Sequence, residues 1–154
     1  MRLPQAATGD SLAKRAGIML LSLSVRIAEE FHSKEEASMP IGDLSRLAKR
    51  CGYGALCMRA SQVGVHSPPE AVEEAAGCLA ETGLVVSMVT GDFDTVYNNE
   101  KGPSALTNIT PHLDLAKRLG APRIRVALKQ ESDIAHARRA ADEAAERGIQ
   151  LVHQ

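Results

Sequence analysis

Short apolar runs alternate with longer amphipathic stretches along most of this chain, and a glycine closes each of four amphipathic stretches. The runs are Ile18 to Val25, Ala55 to Arg59, Leu84 to Val89, Arg123 to Leu128 and Ile149 to His153, each of strand rather than helix length. Between them, Ile41, Leu44, Leu47, Ala48 and Cys51 fall on one helical face. Val72, Ala75, Ala76 and Leu79 do the same behind Pro68-Pro69, where the second proline suits a first helical turn. Leu106, Ile109, Leu113, Ala116 and Leu119 mark a third face within Ser104 to Leu119, which Pro111 either kinks or restarts behind a Thr110 cap. A fourth helix, capped by Ser132, presents Ile134, Ala137, Ala141, Ala144 and Ala145, with Glu143 and Arg147 spaced to pair.

The stops Gly52, Gly83, Gly120 and Gly148 recur at intervals of roughly 30 residues, the length of one strand-helix unit. Such alternation predicts an α/β fold with a parallel sheet. Four βα units plus the start of a fifth strand make the N-terminal half of a (β/α)8 TIM barrel, whose full length is about 250 residues. An open doubly wound sheet is the competing architecture, but it would ordinarily cover its last strand with another helix, so a truncated barrel is expected. Residues 1–16 show no clear period and read as a loose leader, with 17–154 as the partial barrel domain.

The 154 residues suit one domain, and 44% hydrophobic with 24% charged residues excludes a disordered chain. Eighteen Lys and Arg against 19 Asp and Glu leave a net charge of -1, too little field to hold nucleic acid or an acidic membrane surface. Aromatics at 3% leave an aliphatic core and no platform for stacking bases. Cys51, Cys57 and Cys78 lack metal or CxxC spacing and read as buried reduced thiols. Gly17 to Val25 follows Lys14 and Arg15, yet no cleavage site follows it and Arg26 interrupts it well short of the roughly 20 apolar residues of a membrane span. A cytoplasmic protein is expected.

In a parallel sheet, ligands meet the loops at the carboxyl ends of the strands. The candidates there are Arg26 and Glu29; Arg59, Gln62 and His66; Asp92, Asp94 and Asn98; Lys129 and Glu131; His153 and Gln154. Arg59 closes an apolar strand, where a guanidinium grips a carboxylate or phosphate, or else forms a salt bridge to a neighbour such as Asp92. Asp92 and Asp94 suit acid-base work, a cation, or a polar turn with its own side-chain hydrogen bonds. His66 reads as a loop imidazole, and the face taken by His153 is ambiguous. Gly-rich phosphate loops, the nucleophile elbow and HExxH are all missing from the sequence.

Three stretches, Gly52 to Gln62 (GYGALCMRASQ), Val86 to Phe93 (VSMVTGDF) and His112 to Ala121 (HLDLAKRLGA), together resemble the xylose-isomerase-like TIM barrels. That superfamily comprises sugar phosphate isomerases and epimerases and the endonuclease IV type of enzyme, and the likeness covers about Gly17 to Gln154. The resemblance implies a divalent metal at the barrel mouth, held by carboxylates and His of later strands, that polarises a hydroxy-carbonyl sugar while an acid-base residue moves a proton. A typical member carries a metal-binding Glu on strand five where Leu151-Val152-His153-Gln154 places Gln154, and an amide is a poorer ligand for a hard cation. No metal ligand is therefore assigned, and none is expected to bind tightly to this chain. On this resemblance Arg59 and Asp92 hold the sugar or sugar phosphate, His153 contributes to catalysis, and isomerase or epimerase activity belongs to a full-length parent. The alternative is a non-catalytic half-barrel that self-associates or binds a small ligand, since unclosed sheet edges and apolar faces need covering.

Overall fold

In the computed structural model, which describes residues 19–153, the five apolar runs form one parallel sheet in the order β1-β2-β3-β4-β5. The strands are β1 (Ser22–Ser24), β2 (Ala55–Arg59), β3 (Val85–Thr90), β4 (Arg123–Val126) and β5 (Gln150–His153). Each strand neighbours its predecessor and runs parallel to it, so each connection is a βαβ crossover. Five helices connect them: α1 (Ile41–Arg50), α2 (Pro69–Thr82), α3 (Phe93–Tyr97), α4 (Thr110–Arg118) and α5 (Asp133–Glu146). All four glycines read as stops have positive φ, which a residue without Cβ adopts cheaply. The expected leader, 1–16, lies outside the described residues.

The aliphatic core lies between sheet and helices. Leu56 and Met58 of β2, Val86 and Val89 of β3, and Ile124 and Val126 of β4 meet Leu44, Val72, Leu79, Leu113 and Ala144 from the helices. The opposite face of the sheet, the barrel interior, is not apolar as expected. Alternation along the strands gives it Ser24, Cys57, Arg59, Thr90, Arg123 and Arg125, alongside the apolar Ala55, Met88 and Val152. Arginines at every second position of Arg123-Ile124-Arg125-Val126 carry that signal, and reading the segment as a uniform apolar run conceals it.

Other expectations need correction. Within the described part of the run from Ile18 to Val25, Ser22–Ser24 is strand and Val25–Ala28 tightens into a 3-10 turn capped by the Ser24 hydroxyl. The loop after β3 contains α3 and a second 3-10 turn, Gly102–Leu106. At Pro111 the chain restarts, with Pro in the first turn of α4. Thr110 is no cap: its hydroxyl donates to Glu143 Oε1 at 2.7 Å and ties α4 to α5. Nor does Ser132 cap α5, where Asp133 instead accepts the Lys129 and Gln130 amides at 2.8 and 3.0 Å. These amides hold the Asp133 carboxyl below its ordinary pKa.

The buried stripe of α5 is Ala140 and Ala144 with Ala137, while Ile134, Ala141 and Ala145 are exposed. Alanine on both its buried and its exposed faces gives this helix a weak rotational preference in the sequence pattern. The predicted faces of α2 and the Leu106 to Leu119 segment are buried as expected, apart from the half-buried Ala76. Cys51 is exposed, and Cys57 and Cys78 are half-buried, so the thiols are free but not fully buried. On α1, Leu47 joins Cys51 outside the core: with Leu21, Leu23, Ile27, Leu44 and Tyr53 they line an apolar groove of about 400 Å³ beside β1.

Candidate functional site

β2, β3 and the segment after β1 deliver two polar clusters to the carboxyl end of the sheet. In the first, Arg59 Nε donates to Glu29 Oε1 at 2.6 Å, its Nη2 reaches Glu29 Oε2 at 3.4 Å, and Ser61 Oγ donates to Glu29 Oε1 at 2.9 Å. The Arg59 and Glu29 side chains are only 6% and 5% exposed. The 3-10 turn after β1 and the bridge between Glu29 and Ala37 set Glu29 beside β2, so its carboxylate satisfies the guanidinium that ends that strand. The expected salt bridge from Arg59 to Asp92 is therefore replaced by one to Glu29. Sequence reasoning lists Glu29 among loop candidates without its partner, because 30 residues separate them in the chain.

In the second cluster, Asp92 caps α3 through Oδ1 on the Thr95 amide, while Oδ2 lies 3.6 Å from His112 Nε2. His112 was hidden in the sequence within the helical pattern of α4. Its burial lowers its pKa from 6.5, partly opposed by the Asp92 charge. Gly91 permits this approach: a Cβ there would sit 2.9 Å from His112 Nδ1. The β2 and β3 loops are clamped by the Val65 amide donating to Gly91 O at 2.8 Å and by His66 stacking on Phe93 at 4.4 Å. A Cβ on Gly64 would stand 2.7 Å from Gly91 O, so a glycine is needed at that crossing too.

Because the folded state disfavours protonated His112, its contribution to stability is complete above about pH 6.5, the ordinary His value, and declines as pH falls through the lowered folded value. Thermal melts from pH 7.5 to 5 should show falling Tm, with the slope reduced in His112→Gln. An unchanged slope in the variant would assign the loss to other groups.

Three of the remaining candidates are occupied locally. Gln62 Nε2 donates to Met39 O at 2.9 Å, Asp94 accepts from Asn99 Nδ2 at 2.9 Å, and Lys129 Nζ donates to Asn98 O at 3.0 Å. The alternation of β5 puts His153 level with Val126 on the helix-facing side, with its Nε2 3.3 Å from Leu128 O. It does not join Arg59 or Asp92, and Gln154 lies outside the described residues. Among the described residues no three His, Cys, Asp or Glu side chains converge to hold a metal. The described residues thus do not fit the divalent ion that the resemblance implies.

Arg125 and Thr90 are the residues that sequence reasoning passes over. Arg125 is level with Thr90 on the interior face, and Thr90 is level with Arg59 on the other side. Thr90 Oγ1 and Arg125 Nε and Nη2 are buried without a hydrogen-bond partner among the described residues. Burial and the nearby Arg59 charge push the Arg125 pKa down, while burial pushes the Cys57 thiol up against the opposing Arg125 and Arg59 charges.

No family model matches the sequence, and comparison with curated proteins finds no match. Solved structures match the fold. A xylose isomerase-like TIM barrel protein from Mycobacterium smegmatis, in complex with magnesium, superposes with a TM-score of 0.65 at 16% identity, covering 90% of this chain and 55% of its own. A D-allulose 3-epimerase from Methylomonas sp. gives 0.60 at 16% identity over 88% of this chain and 51% of its own. An AP endonuclease, family 2, from Brucella melitensis gives 0.57 at 16% identity over 88% and 55%. This chain spans about half the length of these structures and has the fold of about half of a TIM barrel.

Proposed function

We propose that this chain is part of a sugar isomerase or epimerase of the TIM-barrel type, supplying one side of the barrel mouth that positions a sugar or sugar phosphate. One observation carries the reading: in a half-barrel whose fold matches such enzymes, the carboxyl end of the interior face holds a buried, hydrogen-bonded cluster of Arg59, Glu29 and Ser61. Asp92, next to His112, accepts from a sugar hydroxyl, while Arg59, locked to Glu29, presents its remaining donor edge. Proton transfer is assigned to barrel strands that the solved enzymes have and this chain does not span, rather than to His153. A cytoplasmic setting fits this reading.

Saturation-transfer NMR with D-fructose and D-allulose tests it. Both sugars should bind, and Asp92→Asn, which keeps the helix cap, should weaken them at least about fivefold, or about 1 kcal/mol. No saturation transfer from either ketose, or equal binding in the variant, would overturn it. The apolar groove beside β1 favours a second reading, self-association through that face, which multi-angle light scattering would register as a mass above 16.4 kDa.

A further inference from the structure

Among the described residues, the interior row carries Arg59 and Arg125 with one carboxylate bonded to it, that of Glu29. Arg59, Thr90 and Arg125 form a row across β2, β3 and β4, with neighbouring strands about 4.8 Å apart. Glu29 is committed to Arg59 and Ser61. Arg125 is close enough to Arg59, Glu29 and Arg26 for all three to act on it, yet Glu29 makes no hydrogen bond or salt bridge to it. Two of its donor nitrogens are buried without a partner, as is the hydroxyl of Thr90, a residue with no exposed surface. Donors in that condition call for an acceptor, either a water or a ligand oxygen.

We propose that Arg125 and Thr90 form an anion subsite of the barrel interior, which takes the phosphate of a phosphorylated sugar. Arg125 offers a fork of two N–H donors to two phosphate oxygens, and Thr90 Oγ1 adds a third contact from the adjacent strand. Arg59 stands behind them with its charge balanced by Glu29. The subsite rests on the sugar reading for its physiological ligand, but its chemistry requires only the dianion.

Calorimetric titration of the whole chain with inorganic phosphate tests the subsite without any sugar. Phosphate should bind with a millimolar or tighter Kd, and Thr90→Val and Arg125→Met should each weaken it at least fivefold. Arg139→Met, on exposed helix surface, should leave it unchanged. Thr90→Val preserves side-chain shape and keeps the test valid should Arg125→Met fail to fold. Fructose 6-phosphate should bind more tightly than fructose, and Arg125→Met should abolish that difference. Equal phosphate affinity in Thr90→Val and the parent, or no binding below 10 mM phosphate, would overturn the subsite. Phosphate binding without binding of fructose or allulose would keep the subsite and remove the sugar reading.

Discussion

Glu29→Gln should be among the most damaging substitutions in the chain, lowering stability by about 3 kcal/mol or more in urea unfolding monitored by circular dichroism. The amide keeps the shape of the carboxylate but leaves the Arg59 charge, 6% exposed, without its counter-ion. Arg59→Met should cost a similar amount, because Glu29 then keeps only the Ser61 hydroxyl. The double variant Glu29→Met with Arg59→Met should be less damaging than either single change, since removing both charges removes the desolvation cost along with the attraction. Additive losses would show that solvent reaches the pair and that its apparent burial does not govern its energetics.

Leu56→Ala should produce the second large effect, about 3 kcal/mol, because Leu56 is fully buried on β2 between two paired strands and under the helices. Leu47→Ala removes the same atoms from α1, where the side chain is 37% exposed at the groove, and should cost under about 1 kcal/mol. The contrast is measurable by the same unfolding experiment. A loss at Leu47 equal to that at Leu56 would mean that the groove is covered in solution.

Leu47 also marks where sequence reasoning succeeds and where it stops. Helical spacing assigns it to an apolar stripe, and it lies on one; periodicity cannot say what lies opposite. The parallel order of the sheet was legible because glycine stops and apolar runs recur at a fixed length, and each is a local signal. The site was legible only as a list of positions. Glu29 and Arg59 both appear there, but their pairing depends on the 3-10 turn that pulls Glu29 onto β2. His112 was hidden because its helical position accounts for it without chemistry. Arg125 was hidden because an arginine between isoleucine and valine disappears into an apolar average, although strict alternation predicts one polar face. For His153 the sequence left the face ambiguous, and the parity of β5 turns it to the helices.

The uninterrupted strand order has a consequence for how the chain acquires its structure. In a sheet ordered β1-β2-β3-β4-β5, each strand after β1 pairs with the one synthesised just before it. Each pairing closes a loop of one βα unit, so the entropy of closure is met in small, similar increments rather than in one large step. A ribosome delivering this chain can add one strand and helix at a time to a growing edge. The order of assembly is thus written into the topology, and the side chains of the interior row come together only when β4 docks, bringing Arg125 beside Thr90 last.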